Sequence, residues 1–581
     1  MQLSLLGQIW QYEPPPIEHI RQVQIKYKLP FVISQYFARK LDTAALNESE
    51  IQAWLNPSLE NLHDPYLMLG MDIAVQRILR AKEQKENILV VTDFDVDGTT
   101  SSLVLQSVCA LIGIPSRNIS FYIPDRFGEG YGFNKGAVQK AKEQECSLII
   151  TADIGVRDHQ TVNLAEAEGI DVIICDHHLP PGESVPPNAV AVLCPPQERC
   201  TYPNAALAAC GVSLKLAQAL LQTQPHITNL EDILHSMLKV VAIGTIADVV
   251  SLATLENRAI VSLGLKALSN PRLRNKPGLQ ALLDVSGVKD LVTTYAVGYH
   301  IAPRINAAGR IASAETVVNL FQASTPKEAR QLAKVLDDRN AERRALQAKM
   351  VDDASKQISA PIPNFIFVKG REENGFHRGI VGIVAGKLKD QYHRPVAVVS
   401  LGEESARASV RSPPTVHAVK ALDYCKDLLG KYGGHAAAAG FDVPLENLAM
   451  LEERLQQYIE EEIEQTALIP KLNCQVQCQA EDIDLLVVLK LEELGPFGQN
   501  NPRPMFWVRN AKPQRVEVMG KEGNHLRFFI EKTRCIWWQG KQYLDVLQAG
   551  RFDLAVKPQI NRFNGRSSVQ LIIEDALPLS E

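Results

Sequence analysis

Residues 90–102 read VVTDFDVDGTTSS and set three aspartates, Asp93, Asp95 and Asp97, at alternate positions behind an apolar run, with Gly98 opening the helix that follows. In extended backbone alternate side chains share one side, so the three carboxylates are expected to face the same way. Like charges this close repel unless a cation neutralises them, and hard oxygen donors suit Mg²⁺ or Mn²⁺. Two further apolar runs end similarly: SLIITAD stops at Asp153, and DVIICDHH at Asp176, His177 and His178. Aspartates together with an imidazole can hold two divalent ions about 3.5–4 Å apart, the arrangement that activates water and clamps a phosphoryl group. Asp248, behind the helical GTIAD, is a natural later ligand. Adjacent histidine side chains diverge, so one of His177 and His178 ligates metal while the other faces the scissile phosphate, in an order the residues leave open. Asp176 is placed to fix an imidazole tautomer as an acceptor behind the ligands.

The elements that must position these groups are visible as periodicity. NILVVT (87–92), ISFYIP (119–124), SLIITA (147–152), DVIIC (171–175) and AVAVLC (190–194) are short β-branched runs separated by helical stretches. That alternation predicts a parallel sheet covered on both faces, with its ligand beyond the carboxyl ends of the strands. Residues 208–248 read as helices. Residues 325–358 are dense in helix formers, with Leu332, Val335 and Leu336 at helical spacing, and predict a long connecting helix. Residues 361–465 repeat the α/β style, and beyond Ile469 short alternating strands with turn signals (KEGNH, FNGRS) suit a small β-barrel or sandwich. The expected division is an N-terminal adaptor segment over 1–80, in which Asn47 caps a helix, an α/β domain over 81–320, a connecting helix over 321–358, a second α/β domain over 359–465 and a C-terminal β domain over 466–581.

With 581 residues, 46% hydrophobic and 22% charged, the chain has an ordinary globular composition and length enough for several domains. Its net charge of −5 excludes nucleic-acid attraction by the whole-chain field, so a basic surface must be local. Such a surface lies between Arg503 and Arg566, where 13 Lys or Arg stand against 5 Asp or Glu, among many aromatic residues. Cations interleaved with rings on a small barrel are what an oligonucleotide-binding (OB) fold presents, the rings stacking bases and the cations following the backbone. Trp507, Trp537 and Trp538 are the stacking candidates, and on a strand only one of the last two can point outward. The ten cysteines contain no C-x-x-C pair and are expected as free thiols. No window approaches the ~18 uninterrupted apolar residues of a membrane span, which predicts a soluble, cytoplasmic chain in a reducing compartment.

FDVDG, TADIG, CDHH and TIADV, in this order, resemble the four motifs of the DHH phosphoesterase superfamily. YIPDRFGEGYGFN (122–134), HIAPRINAAGRI (300–311), FHRGIVGIVA (376–385), SVRSPPTVHAVKAL (409–422), KYGGHAAAAGF (431–441) and LGPFGQNNPRPMF (494–506) narrow the resemblance to the RecJ family within it. The resemblance implies a DHH and a DHHA1 α/β domain joined by the long helix around a metal cleft, with an OB-fold barrel behind them. It implies two Mn²⁺ or Mg²⁺ ions on ligands drawn from Asp93, Asp95, Asp97, Asp153, His177 and Asp248, with His178 near the substrate phosphate. It places Gly433, Gly434 and His435 at the DNA end, which fits a Gly-Gly turn that lets backbone N–H groups approach phosphate. Arg126, Arg304, Arg310 and Arg411, beside Asn306, Ser409 and Ser412, are expected to hold phosphates through their guanidinium forks. The implied activity is 5′→3′ hydrolysis of single-stranded DNA to 5′ mononucleotides in recombination and repair, by a monomer working with a helicase and a single-strand-binding protein. Thr92, where the family usually has glycine, and FHRG without a preceding tryptophan are departures that remove no ligand.

Overall fold

The computed structural model describes the chain apart from Met1, Ala45, residues 125–128, 130 and 131, Pro181, Glu183, Asn275, residues 312–314, Asn564 and residues 580 and 581, and gives backbone alone for Thr43, Ala44, Arg310, Ile311, Gln465 and Phe563. Two compact units result. One comprises Leu46–Ala341 with Leu494–Pro502, the other Met1–Ala45, Glu342–Glu493 and Arg503–Glu581. The N-terminal strand β1 (Ile9–Tyr12) belongs to the latter.

The first of these units is built on β2 (Asn87–Thr92), β3 (Ile119–Tyr122), β4 (Cys146–Ala152), β5 (Asp171–Cys175) and β6 (Ala191–Leu193). They run parallel in the order β3-β2-β4-β5-β6. Alternation along each strand serves two cores. Ile88, Val90, Leu148, Ile150 and Ile173 face one side with residues of helices Met71–Gln84, Val96–Leu111 and Ala209–Gln222. Leu89, Val91, Ile149, Val172 and Ile174 face the other with helices Lys135–Glu143 and His159–Ala167. Each such aliphatic side chain contributes about 1.5–3 kcal/mol by leaving water, which is why the central strands read as unbroken apolar runs. Helix Leu230–Ala247 and the later helices add a further core around Ile243, Leu282, Ile301 and Ile305. The long helix expected over 325–358 spans Pro326–Ser355.

In the other unit β7 (Ile366–Arg371), β8 (Val396–Leu401), β9 (Ser405–Arg411), β10 (Tyr432–Gly434) and β11 (Ala438–Pro444) form a sheet ordered β10-β11-β9-β8-β7, in which only β7 and β8 pair in parallel. Beyond it come β12 (Lys471–Cys474), β13 (Val476–Cys478), β14 (Phe506–Ala511), β15 (Gln514–Met519), β16 (His525–Ile530), β17 (Thr533–Trp537), β18 (Phe552–Phe563) and β19 (Arg566–Pro578). The last seven make one sheet, β13-β14-β18-β19-β17-β16-β15. Its predicted turns fall at Gly520, Gly523 and Gly565, all at positive φ.

The segment 1–80 is shared between the units and is no single adaptor. β1 pairs with β12, Trp10 donates Nε1–H to Asp575 at 3.0 Å and meets Trp507 edge-on at 5.2 Å, so the N-terminus is packed with the C-terminal sheet. Residues from Leu46 onward go with the parallel sheet, beginning with the helix Glu48–Leu55, capped by Asn47 in a reciprocal box with Glu50 as predicted. All ten cysteines are free thiols. Among the described residues no helix is long and apolar enough to cross a membrane.

Candidate active site

The three central strands of the parallel sheet each carry their ladder one residue past the strand's end. Asp93 N–H donates to Ala152 O, Asp153 N–H to Cys175 O and Asp176 N–H to Leu193 O, at 3.4, 3.0 and 2.9 Å. The acidic residues therefore project from one edge of the sheet. Asp153 takes a left-handed φ of 64°, a conformation aspartate tolerates better than most residues, and turns off the strand there.

The alternation argument for Asp93, Asp95 and Asp97 is corrected by the backbone. Only Asp93 continues the strand; Asp95 caps the helix Val96–Leu111, accepting from Gly98 N–H at 3.1 Å, and Asp97 lies inside its first turn. A side chain at Gly98 would collide with the Asp93 carbonyl, its Cβ only 2.3 Å away, so glycine is what lets the helix start this close to the strand end. Asp97 is fully buried and accepts the N–H groups of Ala209 and Cys210 at 2.6 and 2.8 Å, at the start of helix Ala209–Gln222. Those amides had no sequence signal, because every non-proline residue carries an N–H and only the fold reveals which pair ends up beside Asp97.

Three groups of donor atoms result, each within 4.8 Å of one another: Asp93, Asp95 and Asp153; Asp97, His177 and Asp248; and Asp153, His177 and His178. His177 Nε2 lies 3.3 Å from Asp153, 3.6 Å from Asp248 and 3.9 Å from Asp97, and is buried without a hydrogen-bond partner among the described residues. A buried imidazole nitrogen among three carboxylates and hydrogen-bonded to none of them fits a nitrogen that ligates a cation. Oxygen donors with one imidazole and no thiolate fit Mn²⁺ or Mg²⁺. His178 is differently engaged: its Nδ1 is 2.8 Å from Asp176 Oδ1, and Asp176 also accepts the N–H groups of His177, His178 and Val156.

The electrostatics match the crowding. Burial, then repulsion by Asp97 and Asp95, pushes Asp248 up to about 9. Burial and the neighbouring aspartates raise Asp153 well above the usual carboxylate range, and burial with the charge of Asp97 raises Asp95. Burial, the largest effect on His177, holds it low and neutral, the form that ligates metal. Burial would also lower His178, but its hydrogen bond to Asp176 and the charge there raise it overall. For Asp176 burial acts upward, and the combined bonds from His178 and the backbone bring it below the ordinary range.

The predicted phosphate ligands are distributed as follows. Arg126 and the Arg310 side chain lie outside what the structure describes. Arg304, Asn306 and Arg310 share the helix Ala302–Ile311, which sits directly against the aspartate loop: a Cβ on Gly309 would come within 2.7 Å of the Phe94 carbonyl. Arg304 is not presented to a ligand, since its guanidinium is bound to Asp337 at 2.8–2.9 Å and to the His300 carbonyl. This partner 33 residues away was not foreseeable from the local motif. In the other unit Ser409 and Arg411 lie on β9 and pair in register with Gly440 and Ala438 of β11, next to the edge strand that carries Gly433 and Gly434. Arg411 Nη1 donates to Ser409 Oγ at 2.8 Å, Ser412 is buried, and His435 is exposed in the tight turn, its N–H on the Ala438 carbonyl.

The tryptophans divide sharply. Trp537 is 3% exposed and stacks on Tyr543 at 4.9 Å, whereas Trp538 is 49% exposed and meets His525 edge-on at 4.8 Å. Trp507 is engaged by Trp10, by a hydrogen bond to Asp553 at 2.8 Å and by the Arg509 guanidinium.

Comparison with known proteins bears on the same segments. Residues 87–245 match the DHH family, N-terminal domain, residues 363–461 the DHHA1 domain and residues 474–575 the RecJ OB domain. The single-stranded-DNA-specific exonuclease RecJ of Bacillus subtilis is 34% identical over 578 residues, covering 98% of this chain and 70% of its own. The crystal structure of RecJ from Thermus thermophilus in complex with Mn²⁺ superposes with a TM-score of 0.81 at 26% identity, covering 99% of this chain and 80% of that one. Its Mg²⁺ complex gives 0.76 at 25%, covering 99% and 79%.

Proposed function

The chain belongs to the RecJ family of single-stranded-DNA-specific exonucleases, and from that premise we propose that it hydrolyses single-stranded DNA from the 5′ end, releasing 5′ mononucleotides in recombination and repair. The observation that carries the reading is His177 Nε2, buried amid Asp97, Asp153 and Asp248 with no hydrogen-bond partner among the described residues. Asp93, Asp95 and Asp153 would hold one divalent ion and Asp97, His177 and Asp248 the other. When bound, Mn²⁺ or Mg²⁺ lowers the pKa of water and neutralises charge on the phosphoryl oxygens.

The chain's own groups do the rest. Attack at phosphorus breaks the bond to the 3′ oxygen of the departing nucleotide and leaves a 5′ phosphate on the shortened strand. Asp176 commits His178 Nδ1, so a proton handed to substrate comes from Nε2, and the raised pKa keeps that proton available near neutrality. Arg126, together with Asn306 and Arg310 on the helix beside the aspartate loop, and Ser409, Arg411, Ser412, Gly433, Gly434 and His435 of the DHHA1 domain, bind the 5′ end and following phosphates. Arg304 joins them only by releasing Asp337. Trp538 stacks a base. The enzyme acts as a monomer in the cytoplasm, with a helicase and a single-strand-binding protein supplying and covering its substrate.

The test is digestion of a single-stranded oligonucleotide labelled at either end, with Mn²⁺ or Mg²⁺, beside Asp95→Ala and a blunt duplex. Labelled mononucleotide released at once from the 5′ label only, absent with the variant and with duplex, is the expected result. Binding without cleavage would make the chain a DNA scaffold, and cleavage confined to di- to tetranucleotides would make it a small-substrate phosphoesterase.

A further inference from the structure

We propose that Asn257 is a positioning residue for the cation cluster, one buried amide that sets the spacing between the segment whose backbone holds Asp97 and the segment that carries Asp248, and through it the affinity for metal. The inference rests on the reading of that cluster as a metal site.

Asn257 is fully buried on the helix Leu255–Ser269. Its Nδ2 donates to the Ala206 carbonyl at 2.6 Å and to the Ser251 carbonyl at 2.9 Å, while its Oδ1 accepts from Asn204 Nδ2 at 3.0 Å. Both amide hydrogens are thus spent, and they go to two different segments. Ala206 leads within four residues to Ala209 and Cys210, whose N–H groups hold both oxygens of Asp97. Ser251 lies three residues beyond Asp248. His177 Nε2 lies 3.9 Å from Asp97 and 3.6 Å from Asp248, and so depends on both. The donor group Asp97, His177 and Asp248 keeps its dimensions only while these two segments keep theirs.

The turn after Asp248 needs such a tie. Val249 adopts a φ of 60°, a left-handed conformation that a β-branched residue disfavours, and the residue is 61% exposed, so packing does little to hold it. Asn257 grips the chain two residues later. Nor can Asn257 swing away. Asn204 is fixed by Glu256 Oε2 at 3.1 Å, and Glu256 by Tyr202 at 2.6 Å, by His63 N–H at 3.1 Å and by Lys215 at 3.4 Å, with Glu256 and Lys215 fully buried.

Calorimetric titration of the full chain with Mn²⁺ alone, for the wild type, Asn257→Ala and Asn204→Ala, decides it. Asn257→Ala is expected to weaken Mn²⁺ binding by about 10- to 100-fold, the range typical of groups that orient metal ligands. Its nuclease rate should return to within a few-fold of wild type at saturating Mn²⁺, with KM for DNA unchanged. Asn204→Ala, which leaves both donors of Asn257 in place, should shift affinity in the same direction by less, and serves in its stead if Asn257→Ala does not fold. An unchanged Mn²⁺ affinity in a folded variant, even one with a lowered Tm, overturns the proposal and leaves Asn257 a support of the fold. A wild type that takes up no Mn²⁺ overturns the metal reading itself, a different result.

Discussion

Oδ1 of Asp176 stands 2.8 Å from Nδ1 of His178 and at the same time accepts the backbone N–H groups of His177 and His178, so one carboxylate orients the imidazole and the turn that carries it. Asp176→Asn keeps the shape and removes the charge. Its expected effect is a kcat about 10- to 100-fold lower with the Mn²⁺ midpoint changed far less, since His177 reaches the cluster through a different nitrogen. Because Asp176 is what raises His178, the alkaline limb of the rate profile should also move to lower pH in the variant. Steady-state rates on 5′-labelled single strands across pH test both; an unmoved limb would remove His178 as proton donor.

Asp153 is buried and faces Asp95, Asp97, Asp93 and Asp248 together. In metal-free protein Asp153→Asn relieves that repulsion, so the variant should melt at a higher temperature than the wild type in EDTA. With Mn²⁺ the order should reverse, because the variant loses a ligand and the wild type gains binding energy. Paired melting curves with and without metal check this. A variant that is less stable under both conditions would show Asp153 to be a fold residue.

The metal-free enzyme should lose stability as pH rises. Asp248 titrates at about 9 in the folded chain against about 4 for an unfolded aspartate, so between those values the native state binds the extra proton. By linkage, stability is full below about pH 4 as far as this group is concerned and falls as pH climbs to about 9. Mn²⁺ displaces that proton, so its stabilising effect should grow over the same window. Melting temperatures from pH 5 to 9, with and without Mn²⁺, should diverge, and Asp248→Asn should flatten the metal-free curve.

Much of this site was legible because its chemistry sits at the ends of periodic elements. Apolar runs with β-branched residues marked the parallel strands, and acids directly behind them marked the edge where the donor atoms gather. What periodicity misled on was the backbone between Asp93 and Asp97. The helix begins at Val96, and the three aspartates divide between two donor groups where they were expected along one strand face. Long-range pairings were out of reach for the same reason that they matter: Trp10 finds Asp575 across 565 residues, and Arg304 finds Asp337, through packing that no local pattern encodes.

The paired tryptophans at the end of β17 offer the cleanest separation of stability from binding. Trp537 is buried against Tyr543, and its truncation removes a large side chain from a packed site, so Trp537→Ala should cost about 3–5 kcal/mol and lower Tm. Trp538, half exposed, has little packing to lose, so Trp538→Ala should leave Tm nearly unchanged. If its ring stacks a base, binding of single-stranded DNA should weaken by about 1–3 kcal/mol, with sequence of little consequence because every base offers a π-face. Fluorescence anisotropy with a labelled oligonucleotide in EDTA, which blocks cleavage, measures this directly. Unaltered affinity in Trp538→Ala would leave the basic side chains of the C-terminal sheet to hold DNA by charge alone, and the salt dependence of binding would then be steep.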